Sequence, residues 1–363
     1  PQPAEAPNLK GVYQMKLSRS ILSLVLALII SLSLVSSPAS AEEEKVINLF
    51  TWATYIDDAT LADFEAATGI KVKYSYLTSN EEMLAKLEAN GGSEYDLVLA
   101  SDYALEILRK SGLIQPLNKE LLPNFTNLNP LYLRRYFDPE SQYVVPYTAG
   151  TPLIVYDPAK VNFEIKGYAD LWNEELKNQV VLVDDARNIV GITLKTMGKS
   201  FNETDPAVLE EASAKLKPLF PNVVSFDYDT PYTVLTSGQA SVGYMFTPFV
   251  QLALMERPDL KVVFPEEGLG FGIDGLVIPK NAPHPQSAHA LLNYLLDGKV
   301  AANTAKVQMY MTPNSAALEY MTEEEKNNPT YVSDAQIESA EFIKDVGEAT
   351  KLYQQIWTEF KAQ

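Results

Sequence analysis

Two aromatic side chains beside a predicted strand end are the first candidates for ligand chemistry. Trp52 and Tyr55 lie three residues apart and follow the apolar stretch Val46–Phe50. Aromatic faces at a strand-to-helix turn form a natural surface for an organic ligand, particularly a cationic one. Core packing uses the same residue types, and with 20 tyrosines in the chain Tyr310 is a weak signal on its own. The turn is the first predicted ligand surface.

A pair of carboxylates, Asp184 and Asp185, lies between the apolar stretch Val180–Val183 and a predicted helix. One of them is expected to cap the helix, because a carboxylate accepts the free N–H groups of a helix N-terminus. The other could pair with a ligand ammonium group. Arg187 could neutralise either aspartate or bind a ligand carboxylate instead. The residue pattern leaves these alternatives open.

A third carboxylate, Asp274, lies in a segment that formally matches a nucleotide-binding pattern, Gly270–Gly275. The strand Leu276–Ile278 follows it, whereas a nucleotide loop is followed by a helix. Asp274 would also lie where the pyrophosphate should bind. We therefore interpret the segment as a chain crossover that uses the backbone freedom of glycine, with Asp274 as a candidate ligand contact.

Composition excludes several classes of function. The 363 residues carry a formal net charge of −18, which argues against nucleic acid or an anionic membrane as a partner. Cysteine is absent and only two histidines occur, His284 and His289. A zinc or copper site is therefore not expected, and no cofactor is predicted. No nucleophile or phosphate-loop motif occurs, so an enzyme is not predicted.

The start of the chain has the pattern of an export signal. Met15 precedes a basic region, the apolar stretch Ile21–Val35 and the small-residue site Ala39–Ala41. The apolar stretch is shorter than the about 20 residues that span a membrane. We interpret residues 1–41 as an upstream extension and a cleaved signal peptide; an uncleaved anchor is the alternative.

Short apolar stretches alternate with helical patterns through the remaining chain, which predicts an α/β fold with parallel strands. Its length predicts two lobes, with crossings near Pro146–Pro152 and Gly268–Gly275. Expected helices include Glu81–Glu88, capped by Asn80, and Val346–Phe360. Ligands of open α/β sheets bind beyond the C-terminal strand ends. The residues at those ends are Thr51, Trp52, Tyr55, Ser101, Asp102, Tyr103, Asp184, Asp185, Phe246 and Thr247.

Several short segments in one order resemble a known family. Residues from about 45 to 360 are similar to the periplasmic spermidine/putrescine-binding proteins of ABC importers. The segments that carry the resemblance are Ser79–Met83, Tyr95–Val98, Leu182–Arg187, Thr312–Asn314 and Asp345–Gly347.

The resemblance implies a two-lobed α/β periplasmic binding protein (type II-like), with the ligand trapped between lobes that a hinge joins. The implied first lobe comprises 44–150 plus 271–318, and the second comprises 151–270 plus 319–363. It further implies a periplasmic location, a small cationic amine as ligand and ABC permease subunits as partners. A monomer without nucleic-acid partners is expected.

Aromatic side chains of that family line the methylene chain of the polyamine, and carboxylates bind its ammonium groups. Spermidine binders carry glutamate where this chain has Thr54 and Asn188, and tryptophan where it has Phe246 and Gly272. Ile343 replaces a glutamine. The implied binding residues are Trp52, Thr54, Tyr55, Ser101, Tyr103, Asp185, Asn188, Phe246, Asp274 and Tyr310.

These departures leave several ligands open. The two remaining carboxylates suit a diamine such as putrescine, and one carboxylate with Arg187 suits a zwitterion such as an ω-amino acid. Compensation by Asp102, Asp227 or Asp229 would preserve polyamine binding. A secreted hydrolase that uses Asp185 and Asp274 is the remote alternative.

Overall fold

The computed structural model describes residues 45–363 and contains two β-sheets surrounded by helices. The predicted leader, residues 1–41, lies outside the described residues. Within 45–363, no helix is both long enough and apolar enough to cross a membrane. The predicted α/β architecture is confirmed.

The first sheet has the strand order β11-β10-β3-β1-β2, and β4 pairs with β10. Strand β1 runs parallel to β2 and β3, whereas β10 is antiparallel to β3 and β4. Its strands are β1 (Val46–Thr51), β2 (Lys71–Tyr76), β3 (Leu97–Ser101), β4 (Val145–Gly150), β10 (Gly270–Val277) and β11 (Glu341–Phe342).

The second sheet has the order β7-β6-β8-β5-β9. Strand β6 is parallel to β7 and β8, and β5 is antiparallel to β8 and β9. Its strands are β5 (Pro152–Tyr156), β6 (Val180–Leu182), β7 (Val223–Phe226), β8 (Val242–Phe246) and β9 (Lys261–Val263).

The chain crosses between the sheets where two strands follow each other almost directly. Only Thr151, which is buried, separates β4 from β5, and residues 264–269 connect β9 to β10. Parallel strands in both sheets are joined through helices, as right-handed crossovers require. The α-helices are α1 (Asp58–Thr68), α2 (Asn80–Asn90), α3 (Asp102–Lys110), α4 (Ala186–Thr196), α5 (Pro206–Leu216), α6 (Pro231–Thr236), α7 (Thr247–Glu256), α8 (Pro285–Leu295), α9 (Gly298–Gln308), α10 (Glu323–Lys326), α11 (Asp334–Ser339) and α12 (Thr350–Lys361).

Helix α2 corrects the predicted cap. Ser79, not Asn80, is the N-cap, and its hydroxyl accepts a hydrogen bond from the backbone N–H of Glu82 at 3.1 Å. Asn80 is the first helical residue, and its side-chain oxygen accepts the backbone N–H of Ser101 at 3.2 Å. The helix predicted over Val346–Phe360 begins later, at Thr350.

The Gly270–Gly275 segment is part of one strand, β10, so the predicted glycine crossover is wrong. None of its three glycines has a positive φ. At two of them close packing explains the glycine: a Cβ on Gly275 would lie 2.4 Å from the Val144 side chain, and one on Gly270 would lie 3.0 Å from the Phe201 ring.

Candidate functional site

Three helices begin at or shortly after C-terminal strand ends and bring predicted site residues to helix N-termini. Helix α3 follows β3 at Asp102, and α7 follows β8 at Thr247. Helix α4 begins at Ala186, with Asp185 as its N-cap. Partial positive charge at these N-termini stabilises carboxylates there.

The rings of Tyr55 and Tyr310 lie beside each other on the first-sheet side. Their centroids are 6.0 Å apart with the planes tilted by 50°. The backbone carbonyl of Tyr55 accepts the hydroxyl of Tyr147 at 3.0 Å and the side-chain amide of Gln308. These contacts tie the backbone of Tyr55 to the segment that carries Tyr310, since Gln308 lies two residues before Tyr310. Trp52 is half-buried against the hydrophobic core of the same sheet.

Both tyrosines follow a residue with left-handed backbone conformation. Thr54 has φ 65° and Met309 has φ 58°. This region is disfavoured for side chains other than glycine, and most strongly for a β-branched residue such as Thr54. Backbone strain of this kind persists where the surrounding structure imposes it. Thr54 is exposed, so the turn around it, and not burial of its side chain, holds this geometry.

Replacing Thr54 with glycine is expected to raise the free energy of unfolding by about 0.5–1 kcal/mol, because glycine adopts positive φ without strain. Urea unfolding measures this change. The control is Thr358→Gly, since Thr358 is also exposed but lies inside α12, where glycine should lower the free energy of unfolding by a similar amount. Destabilisation of both variants would show that Thr54 is not strained.

Asp274 lies on β10 opposite Ser101 at the end of β3. Burial raises the pKa of its carboxyl, while hydrogen bonds from the side chains of Ser101 and Tyr55 oppose that rise. Tyr55 therefore has two contacts: it hydrogen-bonds to this carboxyl and it lies beside Tyr310. We call Trp52, Tyr55 and Tyr310 the aromatic wall. It is a carboxyl in a desolvated place, held by neutral donors, and an ammonium group is the chemical complement of the carboxylate form.

The two adjacent aspartates have different roles. Asp184 accepts hydrogen bonds from the indole N–H of Trp357 at 2.8 Å and from Lys361 at 2.6 Å. Asp185 is the N-cap of α4 and accepts the backbone N–H of Asn188 at 2.8 Å. The side-chain amide of Asn188, which is 92 % buried, donates to the same oxygen of Asp185 at 3.1 Å. Asp184 is thus paired within the protein, while capping occupies one oxygen of Asp185.

Arg187 does not neutralise either aspartate by a hydrogen bond. Its terminal nitrogens donate to the carbonyl of Lys344 at 2.9 Å and to the side chain of Asn202 at 3.0 Å, and its guanidinium lies 4.8 Å from the centre of the Tyr353 ring. These contacts use the guanidinium of Arg187 to join α4 to the residues packed around it. The alternative in which Arg187 receives a ligand carboxylate is therefore not favoured.

Tyr103 and Tyr228 are each influenced by carboxylates from the sides of both sheets. The hydroxyl of Tyr103 donates to Glu81 at 3.0 Å, and burial, Glu81 and Asp185 raise its pKa above the usual range. Tyr228 is 52 % exposed as a residue, and desolvation of its hydroxyl together with the nearby carboxylates Asp185 and Asp274 raises its pKa to about 12. Both carboxylates thus act on one tyrosine, although Asp185 follows the second sheet and Asp274 lies on the first.

Sequence reasoning did not select Tyr228 as a site residue. It follows β7 in the stretch Asp227–Asp229, and its ring lies 6.1 Å from that of Phe246 in an edge-on arrangement. The rule that ligands bind beyond strand ends would have found it. Asp227, a proposed compensating carboxylate, accepts the backbone N–H groups of Asp229 and Thr230, both at 2.9 Å. It therefore stabilises the turn that carries Tyr228.

Gly272 leaves open space beside the aromatic wall. A Cβ at this position would have no atom nearer than the Gly150 carbonyl, at 3.9 Å. At Gly150, its partner on β4, a Cβ would lie 2.8 Å from the Tyr310 ring. Of the two neighbouring glycines, therefore, Gly150 is required by the position of Tyr310, whereas Gly272 is not required by packing.

Gly272→Trp is expected to fold and to bind an aliphatic diamine about 3- to 10-fold more tightly, because an added aromatic face desolvates methylene groups worth about 0.8 kcal/mol each. Isothermal titration calorimetry measures the affinity. Gly150→Ala is the comparison variant and should weaken binding, because its Cβ displaces Tyr310. Equal affinities of the native protein and Gly272→Trp would place Gly272 outside the ligand site.

No cluster of histidine and acidic side chains within residues 45–363 is arranged to hold a metal ion.

Comparison with known proteins identifies the family. Residues 59–337 match the family model of the bacterial extracellular solute-binding proteins. The chain is 38% identical over 334 residues to the spermidine/putrescine-binding periplasmic protein of Salmonella typhimurium. This alignment covers 92% of this chain and 96% of the relative. It is 37% identical over 338 residues to the protein of the same name from Escherichia coli, with the same two coverages.

A solved structure has the same fold. The putative spermidine/putrescine ABC transporter from Listeria monocytogenes superposes with a TM-score of 0.80 at 32% identity, covering 87% of this chain and 99% of that one. Such neighbours are two-lobed binding proteins, so the predicted two-lobed fold is confirmed. The chain belongs to the bacterial extracellular solute-binding protein family.

Proposed function

We propose that this protein captures a polyamine of the putrescine or spermidine type between its two lobes and delivers it to an ABC importer. The observation that carries the proposal is the placement of Asp185 and Asp274 on different sheets with Tyr228 under the influence of both. A diamine needs two separated carboxylates, since each ammonium group is costly to desolvate without an anionic partner.

In the proposed site, Tyr55, Tyr310 and Trp52 line the methylene chain on the first-sheet side, and Phe246 closes it from the second. Asp274 and Asp185 bind one ammonium group each. Ser101 and Asn188 hold these carboxylates in place through hydrogen bonds. Tyr103 contributes a further wall, and Thr54 shapes the turn that carries Tyr55.

The lobes are proposed to comprise 44–150 plus 271–318 and 151–270 plus 319–363. Sheet membership on either side of Thr151 supports this division, although β11 pairs with the first sheet. Contacts from both lobes to one ligand form only when the lobes close, so the ligand shifts the population toward the closed state. Closure then presents a defined surface to the permease.

The proposed location is the periplasm, with residues 1–41 removed as extension and signal peptide, and the protein is proposed to act as a monomer. We infer that it binds and does not turn over its ligand, because the relatives named above are binding proteins. A cofactor is not required by this function.

Thermal-shift titration tests the ligand class. Putrescine and spermidine should raise the unfolding temperature in a concentration-dependent manner, because a ligand that binds only the folded state stabilises it. γ-Aminobutyrate and arginine are the comparison ligands, since Arg187 is engaged within the protein. Stabilisation by γ-aminobutyrate without stabilisation by any polyamine would overturn the proposal.

A further inference from the structure

Asp102 is a buried carboxylate that the proposed binding residues do not include. Its side chain is only 3 % exposed. One carboxyl oxygen accepts the backbone N–H of Tyr103 at 2.9 Å, whereas the other, Oδ2, is buried without a hydrogen-bond partner. A buried acceptor without a partner is costly, and for a charged carboxylate the cost is larger still. Such an oxygen indicates a missing proton or a missing cation.

Asp274 is a like charge that acts on Asp102. Asp102 directly follows Ser101, which is the cross-strand partner of Asp274. Burial and then Asp274 raise the pKa of Asp102 well above its usual range. Two carboxyls in this arrangement do not both ionise without a compensating cation, and they titrate as a pair.

No cation among residues 45–363 forms an ion pair with the Asp102 carboxyl. Arg187 on α4 lowers the pKa of Asp102, but its terminal nitrogens are engaged by Lys344 and Asn202. Glu106 on α3 is paired with Lys110 at 2.6 Å. Five tyrosines near the pair have pKa values raised above their usual range and stay neutral: Tyr55, Tyr103, Tyr136, Tyr228 and Tyr310.

We infer that Asp102 and Asp274 act as one acid pair that holds a proton in the ligand-free protein and releases it when an ammonium group binds beside Asp274. The inference rests on the proposed function, since it needs an ammonium ligand. The carboxyl O–H bond breaks, the proton passes to the solvent, and the amine keeps its own proton because a primary amine titrates near pH 10. The protein thus exchanges a neutral acid for a carboxylate paired with a cation.

Proton release makes capture dependent on pH. For each proton released per ligand, the association constant rises about tenfold per pH unit over the range in which the pair titrates. Ligand-free protein loses the extra proton as pH rises through this range, while the ammonium ligand remains charged. Affinity for putrescine should therefore increase as pH rises from the ordinary carboxyl range through the raised range in which the pair titrates.

Calorimetric titration of the protein with putrescine, in two buffers of different ionisation enthalpy, counts the protons released. The expected result is about one proton per ligand. Asp102→Asn should bring the count close to zero and flatten the pH dependence. Asp184→Asn is the matched control, because Asp184 is paired with Lys361 and Trp357, and it should release as many protons as the native protein.

Each other outcome contradicts a specific step. Putrescine binding with equal heats in both buffers would overturn proton release while leaving the proposed function intact. Proton release from Asp102→Asn equal to that of the native protein would remove Asp102 from the pair. Absence of binding by putrescine and spermidine at every pH would overturn the proposed function itself. The native measurement is decisive even if the variant fails to fold.

Discussion

Replacing Asp274 with asparagine is expected to weaken putrescine binding by about 1.5–3 kcal/mol, or about 10- to 150-fold. The amide keeps the shape of the carboxyl but loses the charge that pairs with the ammonium group. Tyr55 and Ser101, which hydrogen-bond to Asp274, remain in place to hold an asparagine oxygen. Isothermal titration calorimetry measures the loss, and unchanged affinity would remove Asp274 from the site.

Asp274→Asn should weaken ligand binding, but it should also make the ligand-free protein less sensitive to a rise in pH. Burial raises the pKa of Asp274, so the folded state retains a proton that the unfolded chain has lost. The native protein therefore loses stability as pH rises from the ordinary carboxyl range through the raised folded-state pKa. Asparagine has no such titration. Urea unfolding at several pH values should show a smaller decline for Asp274→Asn than for the native protein.

Two replacements of Asp185 should separate ligand binding from helix capping. Asp185→Asn retains an N-cap side chain, so the free energy of unfolding should stay within about 0.5 kcal/mol, while putrescine affinity falls about 10- to 100-fold. Asp185→Ala loses the cap as well, and should lower the free energy of unfolding by about 0.5–2 kcal/mol. Chemical unfolding and calorimetry together measure both effects.

Asp184→Asn is the control for the two Asp185 variants. Its carboxyl pairs with Lys361 and Trp357, so Asp184→Asn should leave putrescine affinity unchanged. Equal loss of affinity in Asp184→Asn and Asp185→Asn would indicate a general electrostatic effect of the acidic chain. Full affinity in Asp185→Asn would show that the second lobe binds the ligand through other groups.

The α/β fold could be predicted because apolar residues are spaced differently along the sequence in buried strands and in amphipathic helices. Residue roles that depend on distant partners could not. Asp184 and Asp185 are the same residue type in adjacent positions, and their roles are decided by Trp357 and Lys361 on α12, far along the chain. The distinction requires the packed structure.

The β10 segment shows a similar limit. Its glycines predict a flexible crossover, yet they lie in a strand because Val144 and the Phe201 ring leave no room for side chains at Gly275 and Gly270. Glycine required by packing and glycine required by backbone conformation look alike in a sequence. The burial of Asp102 is likewise set by residues of other elements that cover it.

Calorimetric titration of the ligand-free protein with putrescine tests whether the chain binds a polyamine between two carboxylates. Spermidine, cadaverine and γ-aminobutyrate complete the series. We expect one putrescine to bind per chain, with binding lost or strongly weakened in Asp274→Asn and Asp185→Asn but retained in Asp184→Asn. Absence of binding by every polyamine in the series would show that the protein does not capture polyamines.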